Sequence, residues 1–177
     1  MANKIFIEEN EQYQFDFSQA IWATDQLNDI FHTNHQMWSD ADFVTEYLSG
    51  TQDANIKLLF VEYKNSDIST AVNPGAFNPA SDKKVNNVVR KFLDSLSYMM
   101  ATGKERKNYY VYIVEFPNSD SVTRRLLRKK IAQRLPFEFQ TQSQFQSELI
   151  SRFEVLSIEE WNNHAEYSKF PITSIST

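Results

Sequence analysis

A glutamate and a lysine stand two residues apart at the end of an apolar run, in the stretch LLFVEYKNS of residues 58–66. Alternate residues of a strand share one face of a sheet, so Glu62 and Lys64 are expected side by side where the strand leaves the core. Both groups need partners there, because burying a charge without one is costly. The pair is therefore either a surface ion pair or one half of a chemical site.

A second carboxylate could join the pair through a β-hairpin. The segment DFVTEYL at 42–48 and the apolar segment IKLLFVEYK at 56–64 predict two strands joined by the turn segment SGTQDAN. If they pair about the middle of that turn, Asp42 shares the face of Glu62 and Lys64, whereas a slip of one residue turns it away. Both sides of the second strand are apolar before its acid, which predicts a central strand covered on both faces.

These residue types suit the hydrolysis of phosphodiesters. Asp42 and Glu62 offer hard oxygen ligands of the kind that hold Mg²⁺, or Mn²⁺ in its place. Such a metal deprotonates a water and neutralises charge on a phosphodiester. Lys64 could orient that water or stabilise the charge that develops in the transition state. The predicted catalytic residues are thus Asp42, Glu62 and Lys64, with the two carboxylates as metal ligands.

This set resembles the PD-(D/E)XK nuclease superfamily, whose members have the restriction-endonuclease-like fold. In that family an Asp begins one strand of a hairpin, a (D/E)-x-K triplet lies on the next, and a helix and another strand follow. Asp42 and the triplet Glu62-Tyr63-Lys64 match that order, and the resemblance covers roughly residues 18–116. It implies a mixed α/β fold with a central mixed sheet, a hairpin, flanking helices and an αβββαβ core.

The sequence departs from the family pattern in two respects. Ala41 precedes Asp42, where members have a proline. Many members also carry an acidic residue on the first helix that completes the metal site, and Asp25 or Asp29 could do so here. Because members with a degraded site serve as binding modules, two functions stay open: a Mg²⁺- or Mn²⁺-dependent nuclease acting on DNA, and an inactive relative that binds nucleic acid or a protein. Members often dimerise, which implies a homodimer.

The remaining pattern predicts one domain of residues 1–177, with its core at about 18–116 and a C-terminal extension at 117–177. The order helix, hairpin, helix, strand, helix, strand, helix is typical of a mixed α/β layer architecture. Beyond the hairpin, we predict a strand at 4–7, a helix at 18–32 with Ser18 as its N-cap, a helix at 82–101 capped by Ser81 or Asp82, a strand at 109–116, a basic helix at 121–135, a short strand FEVLSI, and a last helix opened by a capping box at Ser157.

Charge is segregated along the chain despite a formal net charge of only −5. Residues 1–82 hold 13 acidic and 3 basic side chains, whereas residues 83–134 hold 13 basic and 4 acidic ones. Basic clusters can neutralise phosphates without reading sequence. The alternative is that the two segments pack together and neutralise each other. The predicted nucleic-acid-binding residues are Lys84, Lys91, Arg124, Arg125, Arg128 and Lys129, and the resemblance makes Lys84 the nearest candidate for a helix lysine that faces the site.

Several other functions are disfavoured by composition. The chain has no cysteine and 3 glycines, so thiolate metal sites, disulfides and a glycine-rich phosphate loop are not expected. It has neither a Gly-x-Ser-x-Gly elbow nor a cysteine nucleophile, which argues against acyl transfer. Without a signal-peptide core or an apolar run that could span a membrane, we expect a cytoplasmic protein that does not bind membranes.

Overall fold

The computed structural model describes residues 4–35, 37–50, 55–67 and 74–175. Within these residues the chain forms two β-sheets and four α-helices, which confirms the mixed α/β class. The strands are β1 (Ile5–Ile7), β2 (Tyr13–Asp16), β3 (Trp22–Thr24), β4 (Phe43–Leu48), β5 (Ile56–Asn65), β6 (Lys107–Glu115), β7 (Arg152–Leu156) and β8 (Ile172–Ser174). The helices are α1 (Leu27–Thr33), α2 (Asp82–Ala101), α3 (Ser121–Ala132) and α4 (Ile158–Asn162). From α1 to α4, this order matches the predicted sequence of elements, and β8 follows as a strand that was not predicted.

The larger sheet has the strand order β3-β4-β5-β6-β7. Its strands β4 and β5 form the predicted antiparallel hairpin, in a register that pairs Phe43 with Val61. The pairs β5–β6 and β6–β7 are parallel, with α2 and α3 as their connections. Parallel neighbours need such long crossovers, which explains why a helix follows each of these strands.

Both faces of β5 are buried, which confirms the prediction of a central strand. Leu58 and Phe60 pack in one core with residues of α2 and α3. Leu59 and Val61 pack on the opposite face, in a second core that includes Trp161 of α4. Because apolar side chains on each face have a layer to pack against, the strand reads as an almost continuous hydrophobic run.

The predicted helix at 82–101 is confirmed as α2. Ser81 occupies its N-cap in an extended conformation, although the serine side chain makes no capping hydrogen bond. The capping box of α4 is also confirmed, since the Ser157 hydroxyl accepts from the Glu160 backbone and the Glu160 carboxylate accepts from the Ser157 N–H. In α3, the Asp120 carboxylate accepts from the backbone N–H of Thr123 at 2.7 Å.

The prediction of one helix over 18–32 is wrong. Residues Trp22–Thr24 instead form the edge strand β3, and α1 begins only at Leu27, with Gln26 rather than Ser18 at its N-cap. The strand pairs with β4, and the Thr45 hydroxyl donates to the Trp22 carbonyl at 2.9 Å. Sheet pairing thus outweighs a weak helical periodicity, as tertiary context commonly does for short segments.

A smaller sheet of order β1-β2-β8 covers the α4 side of the molecule. Strand β1 was predicted. Strands β2 and β8 were missed, because each has only three or four residues and an alternating pattern cannot be recognised over so short a segment. Phe15 of β2 packs on Phe43 of β4 with ring centroids 4.5 Å apart, which joins the small sheet to the hairpin. No helix in the described part of the chain is long and apolar enough to cross a membrane.

Candidate functional site

The hairpin brings Asp42 and Glu62 together at the rim of the larger sheet. The pair Phe43–Val61 is the last in the β4–β5 register, and one step further along it Asp42 stands beside Glu62. The Asp42 Oδ2 atom accepts a hydrogen bond of 2.7 Å from the backbone N–H of Tyr63. This bond holds the aspartate against β5 and leaves its other oxygen facing the glutamate. The register that the sequence argument required is therefore the observed one.

Lys91 of α2 bridges the two carboxylates. Its Nζ atom lies 2.8 and 2.9 Å from the two oxygens of Glu62 and 3.3 Å from Asp42 Oδ1. A single ammonium thus faces carboxylate oxygens that come from both strands of the hairpin. One positive charge against two negative charges leaves the cluster with a net negative charge when both acids are ionised.

Burial makes this excess charge costly. The side chain of Glu62 is 9% exposed, and burial, followed by the charge of Asp42, raises its pKa well above the usual range. Burial also raises the pKa of Asp42, although 32% of its side chain is exposed. Burial alone would lower the pKa of Lys91, but the two carboxylates outweigh it and raise that pKa. The cluster therefore favours additional positive charge.

Lys64 lies in the same cleft as the carboxylates but does not pair with them. Its side chain is exposed, and among the described residues it has no hydrogen bond or ion pair. The ion pair of Glu62 is with Lys91, so the interpretation of Glu62 and Lys64 as a simple surface pair has no support. The Lys64 ammonium is available to a molecule that enters the cleft.

The cleft above the cluster has a volume of about 850 Å³. Besides Asp42 and Glu62 it is lined by Asp25 and Asp40, whereas Asp29, the other acid considered for completing the site, is not among its lining residues. Asp25 thus lies on the wall of the cleft, and the interaction with Asp40 adds to the rise in the Glu62 pKa. An opening of this size is within the range of ligand-binding sites.

Asp42 and Glu62 are the residues of the cluster that could hold a divalent cation. Asp42 Oδ1 and both oxygens of Glu62 face one position, the one that the Lys91 ammonium takes. Within the described residues no group of three or more His, Cys, Asp or Glu side chains could hold a metal ion. Magnesium is commonly bound through one or two carboxylates, with waters and substrate phosphate as its other ligands, so a two-carboxylate site is sufficient.

The predicted nucleic-acid-binding residues divide into two groups. Arg124 is buried and ion-pairs with Glu160 at 2.8 Å, and Arg128 donates to the Phe153 carbonyl at 2.9 Å. These two side chains hold α3 against its surroundings. The exposed members without such a bond are Lys84, whose Nζ lies 5.7 Å from the ring centroid of Phe77, together with Arg125 and Lys129; Arg128 is exposed as well, and Lys91 belongs to the carboxylate cluster.

Part of the basic segment neutralises the acidic segment, as the alternative interpretation expected. Lys104 and Arg106 both pair with Glu46, at 3.4 and 2.8 Å. Lys130 and Arg134 both pair with Asp82, at 3.0 and 2.8 Å. Charge segregation along the chain therefore produces internal ion pairs as well as exposed cations.

The bridging role of Lys91 was missed from the sequence, which placed Lys84 nearest the site. A usable signal existed, because Lys91 lies three residues after Val88 and four before Ser95, both buried, and adjacent to the buried Phe92. A lysine among buried positions of a helix needs a carboxylate partner.

No family model, curated protein or solved structure matches the chain. The functional argument therefore rests on the geometry of the site.

Proposed function

We propose that the protein is a metal-dependent nuclease that hydrolyses phosphodiester bonds, with DNA as the expected substrate. One observation carries the proposal: Asp42 and Glu62 present their oxygens to a single cation position, at the base of an open cleft that also contains Lys64. Carboxylates at the end of a buried sheet, combined with a free ammonium, are the parts that metal-assisted phosphodiester hydrolysis requires.

The order of elements around the cluster supports the resemblance to the PD-(D/E)XK superfamily. The antiparallel hairpin β4–β5 is followed by α2 and then by β6, which is parallel to β5. In the finer assignment that we propose, β3, β4, β5 and β6 are the four strands of the family core. One difference is that α1 follows β3 instead of preceding it.

Each residue of the site would have its own role in phosphodiester hydrolysis. Bound Mg²⁺ or Mn²⁺ would supply an activated water and neutralise charge on the phosphate. Asp42, held by the Tyr63 N–H, and the buried Glu62 would bind the ion and fix its place at the sheet edge. Lys64 would hold the attacking water or the phosphate oxygens through its ammonium. Lys91 would supply a counter-charge to the two carboxylates.

The position of Lys91 also favours a second function. An ammonium that permanently holds the cation position would make the protein an inactive relative that binds nucleic acid or a protein partner. The two functions differ in one measurable property, since only the first predicts that a divalent ion enters the cluster.

The deciding experiment is a cleavage assay on single-stranded, duplex and branched DNA and on RNA, each with Mg²⁺, Mn²⁺ or EDTA. Cleavage that requires the ion supports the nuclease. Binding of any of these substrates without cleavage, in every condition, supports the inactive relative. Absence of both would contradict the nuclease and the nucleic-acid-binding relative, and would leave only a relative that binds a protein partner.

The Lys64→Ala variant should lose activity without losing stability. Lys64 is exposed and has no partner among the described residues, so its removal should change the free energy of unfolding by no more than about 0.5 kcal/mol. Loss of a group that stabilises developing charge should lower the cleavage rate by about 100- to 1,000-fold. Rates and urea unfolding curves are to be compared with those of Lys83→Ala, which removes an exposed lysine that does not line the cleft. Equal rates for the two variants would remove Lys64 from the mechanism.

The double variant Arg125→Ala, Lys129→Ala tests the exposed face of α3. These side chains are exposed, so phosphate contacts made by them should disappear while the fold is kept. If both bind phosphate, the slope of log affinity against log salt should fall in magnitude by about 2 on duplex DNA. Fluorescence anisotropy over a range of salt measures that slope. An unchanged slope would show that α3 does not contact nucleic acid.

A further inference from the structure

The cleft beside the carboxylates has an aromatic wall that the proposed chemistry does not use. Trp38 lines this cleft together with Asp42 and Glu62, and 40% of its surface is exposed. Its ring meets that of Phe31 edge-on, with centroids 5.5 Å apart and planes at 82°. Within the described part of the chain, its indole N–H has no hydrogen-bond partner. A large, half-exposed aromatic ring is therefore available inside the cleft.

The segment that carries Trp38 is fastened to α2. The Met37 carbonyl accepts a hydrogen bond from the Arg90 side chain. The backbone N–H of Ser39 donates to Asp94 Oδ2 at 2.8 Å, and that of Ala41 donates to Ser95 Oγ at 2.9 Å. Trp38 and Asp42 are four positions apart, so their Cα atoms lie within about 14 Å of each other. The backbone on either side of Trp38 is thus already held in place, and the ring packs on Phe31, so little ordering is needed when a ligand arrives.

The charges of the cleft select which part of a nucleic acid can enter. Its lining contains six acidic side chains, among them Asp42 and Glu62, against three basic ones. Such a surface repels phosphates, and a duplex cannot bring a base into the cleft without both of its backbones, whereas a flexible single strand can insert a neutral base while most of its phosphates stay outside. Stacking on an aromatic ring requires an unpaired base with an accessible face, and each stacked base contributes substantially to affinity.

We propose that Trp38 is a stacking platform for an unpaired nucleobase, and that the substrate class is therefore single-stranded nucleic acid or an unpaired segment next to the cleaved bond. This inference rests on the proposed function for the identity of the ligand. The shared chemistry is the base itself, so DNA and RNA are separate arms of the test.

The test measures binding in EDTA, where no cleavage can occur, with fluorescein-labelled oligothymidylate, oligouridylate and a hairpin duplex. Wild type should bind the single strands more tightly than the duplex. Trp38→Ala should weaken single-strand binding by about 5- to 150-fold, and Trp38→Phe should recover much of it because a stacking face is restored. Thermal unfolding of each variant separates loss of binding from loss of fold, and the phenylalanine variant keeps the test valid if the alanine variant unfolds.

Tryptophan emission gives a second readout. Oligothymidylate should quench the fluorescence of wild type and of Trp22→Phe, whereas the emission left in Trp38→Phe should not respond, since Trp161 is fully buried and Trp22 lies under Lys104. Equal affinity of wild type and Trp38→Ala for the single strands, or tighter binding of the duplex, would overturn the proposal. Single-strand binding through Trp38 without metal-dependent cleavage would sustain it while rejecting the nuclease, so the two failures are distinguishable.

Discussion

The Glu62→Gln and Asp42→Asn variants are each expected to lose metal-dependent cleavage by at least about 100-fold while they stay folded. Replacing a group that merely supports a metal ligand costs about 10- to 100-fold, so replacing a ligand should reach or exceed the upper value. The amides keep the shape of the acids but remove the charge that holds the ion. Cleavage rates at saturating Mg²⁺ measure the loss, and Mn²⁺ titration calorimetry shows whether the ion still binds.

The matched control for these variants is Glu105→Gln, which changes an exposed acid that does not line the cleft. It should cleave and bind Mn²⁺ like wild type. Metal affinity should also rise with pH in wild type, because burial raises the pKa of Glu62 and the ion binds the ionised form. Full activity in either amide variant would show that the carboxylates do not hold a catalytic metal.

The Lys91→Met variant should be less stable than wild type at neutral pH, by about 3–5 kcal/mol. The change removes the ammonium that contacts Glu62 and Asp42 and leaves their charges buried without a partner. The same change frees the cation position, so Mg²⁺ should stabilise the variant more than it stabilises wild type. Urea unfolding with and without Mg²⁺ measures both effects, and Lys83→Met serves as the control on the same helix.

The effect of Lys91→Met should depend on pH in a defined direction. Burial raises the folded-state pKa values of Glu62 and Asp42 above 4.5 and 3.8, so the folded protein binds more protons than the unfolded chain over the pH window that begins there. The free energy of unfolding therefore falls as pH rises through this window. Without Lys91 the raised pKa values should rise further, and the variant should approach the stability of wild type near pH 4 and fall behind it as pH increases. Equal stability of the two proteins across the whole range would show that Lys91 is not the counter-charge of the cluster.

Long elements with a clear pattern were predictable because their signals are local. The stripe of Val85, Phe92, Leu96 and Met99 in α2 repeats at helical spacing, and each of these side chains is buried as that spacing requires. The hairpin was predictable for a related reason. Two strand-forming segments flank a turn segment, which predicts the pairing, but both faces of β5 are apolar, so alternation alone did not decide between the two registers. The closeness of Asp42 and Glu62 follows from the observed register.

Short elements were decided by their partners. Residues Trp22–Thr24 have a sequence that a helix could accept, and they form a strand because the edge of β4 offers hydrogen bonds to them. Strands β2 and β8 are likewise stabilised by each other and by the layer beneath them. Segments this short carry too little pattern for a local signal to outweigh such contacts.

For the candidate site, the sequence by itself placed Glu62 and Lys64 on one face of β5, because alternate residues of a strand share a face, and it brought Asp42 to that face in one of the two possible registers. Only the tertiary structure decided that Lys91 bridges those acids and that Trp38 lines the same cleft. Both belong to segments whose place depends on how α2 crosses the sheet, which is a property of packing between distant residues. Alternation along a strand specifies which face a side chain takes, whereas the packing of a helix on the sheet specifies which residue of that helix reaches it.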